Sequence, residues 1–155
     1  MNKKGQAAME FLMTYGWAIL VVLAAIGALA YFGILSPDKV LPSSYTLSGG
    51  FSAGQYKVNT DSLQLEVINN LGSGVTNYTV DITLPTGVSY TCNSNSSYVG
   101  GALANGASSG VLTLCDDLSL TVGDKFKADV DVVYYKSGET LSHTASGSIT
   151  ASVEN

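Results

Sequence analysis

A run of apolar residues near the N-terminus constrains this chain more than any other feature. Residues 6–35 contain one charged side chain, Glu10, and the 25 residues from 11 to 35 carry no charge. A helix needs about 20 predominantly apolar residues to cross the hydrocarbon core of a bilayer. The run is therefore predicted to form a helix that lipid or other helices must cover, because no face of it is polar.

Three interpretations of this run compete: a secretory signal peptide, a permanent membrane anchor, and a helix that starts in the membrane and later packs with copies of itself. A signal peptide has an apolar core of about 7–15 residues followed by a cleavage site of small residues, so this run is too long. Lys3 and Lys4 precede it, and positive charge beside the first apolar segment stays in the cytoplasm. The residues after Leu35 are therefore predicted to lie outside the cell.

Glu10 bears on the two interpretations that remain. A carboxylate at the edge of an apolar helix is costly unless it lies among lipid headgroups or has a partner. A hydrated position at the membrane surface explains it for a permanent anchor, and a charged partner on a neighbouring helix explains it for a packed assembly. The physical argument alone leaves both explanations open.

About the first 35 residues follow an ordered pattern: two lysines and a glycine, then Gln6, then Glu10 four positions later, then the uninterrupted apolar run. This pattern resembles the class III signal peptide of archaeal type IV pilins. In that family a membrane aspartyl peptidase cuts before the apolar segment, which implies cleavage between Gly5 and Gln6 in this chain. Two positions depart from the commoner family pattern, in which serine and leucine are frequent: Ala8 and Thr14.

The resemblance implies a route from a membrane precursor to an assembly. Cleavage of residues 1–5 removes both lysines and leaves an amine at Gln6. This amine is a natural partner for Glu10 of a neighbouring helix, because a charge pair in apolar surroundings offsets part of the desolvation cost that each charge bears alone. Small residues spaced four apart also let helices approach closely. The predicted packing positions are Phe11, Gly16, Trp17, Ala24, Gly27 and Ala28.

The composition changes abruptly after residue 35 to Ser, Thr, Gly, Asn and Tyr. Residues 36–44 include two prolines and are predicted to form a short linker. Apolar and polar residues then alternate with a period of two, which predicts half-buried strands. The strand candidates are residues 63–67, 78–84, 88–92, 118–122, 126–135 and 141–153. The expected fold class is α+β: a long hydrophobic N-terminal helix followed by an antiparallel β-sandwich, immunoglobulin-like in outline, over residues 45–155.

Two cysteines, Cys92 and Cys115, lie in the part of the chain predicted to be outside the cell. An even number of cysteines in an exported domain predicts one disulfide, and two free thiols are the alternative. Between them, residues 93–110 hold twelve Ser, Asn or Gly among eighteen positions. This composition predicts an exposed loop tethered by the disulfide.

Two Asn-X-Ser/Thr motifs are predicted acceptors for N-linked glycans in an exported chain. Asn95 lies in the predicted loop and is the better candidate of the two. Asn77 lies at the edge of a predicted strand.

Residue types that carry enzymatic chemistry are sparse. The single histidine, His143, is predicted to be an ordinary strand residue, and there is no arginine and a formal net charge of -5, which argues against nucleic-acid binding. Residues 124–131 hold three aspartates but lack the glycine and terminal glutamate of an EF-hand loop, and Asp116 and Asp117 stand apart from them. Neither an enzyme nor a bound cofactor or metal is expected.

The predicted function is therefore that of a structural pilin subunit, a homo-oligomer that forms a helical type IV pilus on the cell surface. By resemblance, the expected use is surface adhesion, and the expected partners are a prepilin peptidase, an assembly ATPase and a membrane platform. Two alternatives are kept: an archaeal flagellin, which shares the peptidase class and the architecture, and an uncleaved membrane-anchored extracellular domain for binding or adhesion.

Overall fold

The computed structural model describes residues 3–32 and 42–155. The chain divides into two compact units, Met1–Leu41 and Pro42–Asn155, the second of which is called the head below. The predicted helix end at residues 33–35 and most of the predicted linker, residues 36–41, lie outside the described residues.

Helix α1 runs from Lys3 to Tyr31. Its sequence is rich in Ala, Leu and Met, which favour helix, and contains no proline. At 1.5 Å per residue its 29 residues span about 44 Å. The first turn holds no acidic residue and the last turn no basic one, so charged side chains do not stabilise the ends of the helix dipole.

The head contains eight strands in two antiparallel sheets. Their order is β1-β8-β7-β4-β5 in a five-stranded sheet and β2-β3-β6 in a three-stranded sheet. The strands are β1 (Ser44–Leu47), β2 (Phe51–Val58), β3 (Leu63–Asn69), β4 (Val75–Thr83), β5 (Ser97–Gly100), β6 (Leu112–Leu114), β7 (Lys125–Lys136) and β8 (Ser142–Ser152). The predicted fold class, an apolar helix followed by an antiparallel β-sandwich, is confirmed.

One hydrophobic core joins the two sheets, because every second residue of the long strands faces inward. In β3 the buried positions are Leu63, Leu65 and Val67, and in β7 they include Val130 and Val132. Each such side chain contributes roughly 1.5–3 kcal/mol when it is fully buried. The period of two in the sequence thus corresponds directly to burial in these strands.

The predicted strand at residues 88–92 is wrong. Beyond the end of β4, this segment instead places the Tyr90 side chain against β7. The Tyr90 hydroxyl donates to the Lys127 carbonyl at 2.9 Å and accepts from the Lys127 N–H at 2.7 Å, and its ring packs on Phe126 at 5.2 Å between centroids. A side chain thus satisfies backbone groups that a neighbouring strand would otherwise pair.

The predicted strand at residues 118–122 is also wrong, although Leu118 and Leu120 pack inward while Val122 is exposed. The Leu118 N–H donates to the Asp61 carbonyl at 3.1 Å and the Leu120 N–H to the Thr60 carbonyl at 2.9 Å. These bonds join the segment to the turn between β2 and β3. Leu118 is buried in the core, so its alternation reflects burial without a strand ladder.

The predicted exposed loop at residues 93–110 is in part wrong, because it contributes a strand and a core residue. Strand β5 pairs with β4, and Leu103 is buried while its N–H and carbonyl both bond to Val75 at 3.0 Å. Gly100 explains how β5 fits: a Cβ there would lie 2.2 Å from the ring of Tyr78. The absent side chain lets the tyrosine cover the strand.

Asn69, the last residue of β3, is the only buried polar residue other than tyrosine and cysteine among the described residues. Its Nδ2 donates to the carbonyls of Ser73, Leu103 and Ala104 at 2.9–3.2 Å, and its Oδ1 accepts from the Leu71 N–H at 3.0 Å. One amide therefore fastens the β3–β4 turn and the segment after β5 to the core.

The predicted disulfide between Cys92 and Cys115 is present. Cys115 is fully buried directly after β6, and Cys92 is half-buried in the connection that leads to β5. Because β5 and β6 belong to different sheets, the bond restrains one sheet against the other.

We expect reduction of this bond to destabilise the head. The cysteines are 23 positions apart, and closing a loop of that length contributes roughly 3 kcal/mol in the chain-entropy model. For a domain of this size, that corresponds to a fall in melting temperature of about 10 °C, measured by thermal unfolding with and without a reducing agent. The double variant Cys92→Ala, Cys115→Ala is the control, since a reducing agent must leave its melting temperature unchanged. Equal melting temperatures for the oxidised and reduced natural chain would contradict the expectation.

Candidate functional site

Most of the exposed large apolar side chains among the described residues lie on α1. One helix among them is long and apolar enough to cross a membrane, over Ala8–Tyr31, with a mean hydropathy of 2.1 and none of this stretch buried within the protein. Its large apolar side chains are exposed by between 43 % at Leu29 and 87 % at Tyr31. Such a surface is stable only when lipid or other apolar helices cover it.

Five of the six predicted packing positions fall within about 120° of one another around this helix, and Phe11 lies on the other side. Phe11 and Trp17 are exposed, and so are Ala24 and Ala28. The rings of Phe11 and Tyr15 contact each other at 4.6 Å between centroids. They form one end of a shallow apolar groove, which is lined by Phe11, Tyr15, Ala18, Ile19, Val22 and Leu23.

Two glycines of α1 are not required by any contact within the chain. An added Cβ at Gly16 or at Gly27 would meet nothing within 4 Å, yet each glycine costs about 1 kcal/mol relative to alanine inside a helix. They are eleven positions apart (27 − 16), which at 100° per residue places them within about 20° of the same face and about 16 Å apart along the axis. The spacing fits close approach by a neighbouring helix.

Glu10 is exposed near the N-terminal end of α1. No hydrogen bond or ion pair joins it to another described residue. Gln6 and Glu10 are four positions apart in the same helix, so both lie on one side of it. Gly5, on the amino side of the predicted cleavage bond, is exposed in the first turns; the side chain of Gln6 is not among those described.

The outward face of the five-stranded sheet is strongly polar. All six outward positions of β8 are serine or threonine: Ser142, Thr144, Ser146, Ser148, Thr150 and Ser152. In the neighbouring pair, Asp81 of β4 lies directly opposite Asp131 of β7. A sheet face of this composition is suited to contact with water.

Several of the other titratable side chains form local structural contacts. The Asp117 carboxylate accepts from the Asn93 N–H at 2.9 Å, and Asp116 accepts from Asn95 Nδ2 at 2.7 Å. His143 Nε2 donates to Glu139 at 2.8 Å, and this bond lowers the pKa of the Glu139 carboxyl. Residues 3–32 and 42–155 contain no group of three His, Cys, Asp or Glu side chains able to hold a metal ion.

The two glycosylation motifs lie in different settings, one in a strand and the other in a turn. Asn77 lies within β4, just after a bulge between Val75 and Asn77, and is exposed. Asn95 is also exposed, in the turn before β5, with a positive φ of 50°.

No model of a known protein family matches the chain, and no curated protein matches it.

Proposed function

We propose that this chain is the structural subunit of a type IV pilus, made as a membrane precursor, cleaved between Gly5 and Gln6, and polymerised through α1. The observation that carries the proposal is the helix surface, which is apolar and exposed around its whole circumference. As a precursor, α1 is covered by lipid. In the filament, copies of α1 cover each other.

Two features of α1 favour the packed assembly over a permanent anchor. Lipid tails adapt to any apolar surface, so a lone anchor has no need of glycine at positions 16 and 27. A neighbouring helix does, because glycine permits close backbone contact. Glu10 likewise lacks a partner among the described residues, and the new amine at Gln6 of a neighbouring subunit supplies one.

The head suits the outside of such a filament. A disulfide, which requires an oxidising environment, restrains its two sheets. Its outward sheet face is rich in hydroxyl groups. Adhesion to surfaces and modification by glycans belong to the proposal as uses of this head. The resemblance of about the first 35 residues to archaeal pilins adds the peptidase, the assembly ATPase and the membrane platform as partners.

Mass spectrometry of the N-terminus tests the proposal on filaments sheared from the source cells. A mature chain that begins at Gln6 and is abundant in the filament fraction is expected. A chain that begins at Met1 and occurs only in the membrane fraction contradicts polymerisation and favours the uncleaved anchor.

Deletion of the chain separates the pilus from the flagellin alternative. Loss of surface attachment with normal swimming is the result expected for a pilin. Loss of swimming identifies the filament as the motility organ instead.

A further inference from the structure

The two exposed asparagines of the glycosylation motifs differ in what their amides do. The Nδ2 of Asn95 donates to the Asp116 carboxylate at 2.7 Å, and the backbone carbonyl of Asn95 accepts from the Cys115 N–H at 3.0 Å. The side chain of Asn77 makes no hydrogen bond with any described residue. Asn77 and Thr79, the two residues that define its motif, both project from the outward face of β4.

A small apolar patch surrounds Asn77 on this otherwise polar face. Tyr135 of β7 lies directly opposite Asn77, and it is 37 % exposed. Val99 of β5 and Val133 of β7 lie opposite Thr79, on either side of it, and Val99 is 74 % exposed. Directly opposed side chains have Cβ atoms about 5 Å apart and diagonal ones about 7–8 Å apart, so the patch lies within reach of the first sugar on Asn77.

We propose that Asn77, rather than Asn95, carries an N-linked glycan whose first sugar packs over Tyr135 and Val99. One face of a pyranose ring presents C–H groups, which pack well against an aromatic ring, while its hydroxyls remain in water. The glycan thereby covers the apolar patch on the outward face of the sheet. From the sequence, Asn95 is the better candidate because it lies in a predicted loop. In the folded head, however, the Asn95 amide already donates to the Asp116 carboxylate.

The transfer needs a lipid-phosphate-linked sugar as the donor and a membrane glycosyltransferase. The Asn77 Nδ2 forms a bond to the anomeric carbon of the sugar, the bond from that carbon to the lipid phosphate breaks, and the amide loses one proton to the enzyme's base. The Asn77 side chain is exposed on the outward face of the folded head, so its Nδ2 is open to a transferase there. The transfer takes place on the folded head, while α1 still holds the newly exported chain at the membrane.

This inference rests on the export step of the proposed function and on no later step. Glycopeptide mass spectrometry of the full chain from the surface of the source cells tests it. We expect a glycan on the peptide that contains Asn77. Asn77→Gln should lower the mass of the chain by that glycan, whereas the matched variant Asn95→Gln should leave the mass of the glycan unchanged.

The contact with Tyr135 has its own test, in the same full chain. Tyr135→Thr removes the ring and keeps a residue suited to strands. It should lower the melting temperature by about 3 °C more in the glycosylated chain than in the Asn77→Gln background. Tyr98→Thr is the matched control: Tyr98 is also 37 % exposed, but it lies opposite Val80 on the other face, so its effect should be equal in both backgrounds.

The outcomes separate this inference from the proposed function. A surface-exposed chain cleaved before Gln6 but unmodified at Asn77 overturns the glycan and leaves the pilin proposal in place. A glycan at Asn77 on a chain with an intact N-terminus supports the glycan and contradicts the pilin. Equal effects of Tyr135→Thr in both backgrounds overturn the packing of sugar on the ring.

Discussion

Asn69→Ala is expected to lower the free energy of unfolding of the head by about 3–4 kcal/mol. The substitution removes the donor shared by the carbonyls of Ser73, Leu103 and Ala104 and the acceptor of the Leu71 N–H. A buried polar group left without a partner costs about 1–3 kcal/mol. The Leu103 and Ala104 carbonyls each keep a second backbone donor, so the costs at Ser73 and Leu71 and the small cavity dominate.

Urea unfolding of the head followed by circular dichroism measures this loss, with Asn70→Ala as the matched control. Asn70 is the neighbouring asparagine, but it is exposed, and its amide bonds only to the hydroxyl of Ser52. Its replacement should cost less than about 1 kcal/mol. Similar losses for the two variants would contradict the assignment of Asn69 as the anchor of the turn.

Asn69→Asp should make the stability of the head depend on pH through this site. The new carboxyl would face three carbonyl oxygens at a fully buried position, and both burial and these oxygens disfavour its charged form. Its pKa in the folded head is therefore raised above the value of about 3.9 in the unfolded chain. The variant should be most stable below about pH 4 and lose stability as the pH rises through the raised pKa. A variant whose stability relative to the natural chain does not change with pH would contradict this arrangement.

The elements that could be predicted from the sequence are those whose signal is local and periodic. The alternation in residues 63–67 and 126–135 predicted β3 and β7, because strand and burial share the period of two. The helix was equally accessible, since 25 uncharged residues leave few alternatives. The disulfide followed from an even cysteine count in a chain expected to be exported.

The errors arose where distant segments decide the structure. Residues 88–92 alternate like a strand, yet their role is set by the point at which β4 stops and exposes the backbone of Lys127. Asn69 ends β3, and its burial depends on residues 103 and 104, which lie more than thirty positions away. The glycosylation motifs were ranked by loop position, and neither the bond to Asp116 nor Tyr135 opposite Asn77 is visible in the sequence.

Glu10→Ala is expected to leave export and cleavage of the precursor nearly unchanged and to reduce the yield of filaments by tenfold or more. In the proposed assembly, Glu10 neutralises the amine of Gln6 on a neighbouring subunit. Removing one partner of a buried charge pair leaves the other uncompensated, at a cost of about 3–5 kcal/mol. Each 1.4 kcal/mol is a tenfold change in affinity, so the loss at every subunit contact far exceeds what a filament tolerates.

Two companion variants identify the charge as the cause. Glu10→Gln keeps the shape of the side chain and removes its charge, so it should resemble Glu10→Ala. Thr14→Ala truncates an exposed side chain one turn further along the same side of α1, and it should assemble normally. Filament yield is measured by shearing and sedimentation, and cleavage by the mass of the N-terminal peptide. Normal filaments from Glu10→Ala would contradict the charge pair, because an assembly that forms without the carboxylate does not depend on it for register.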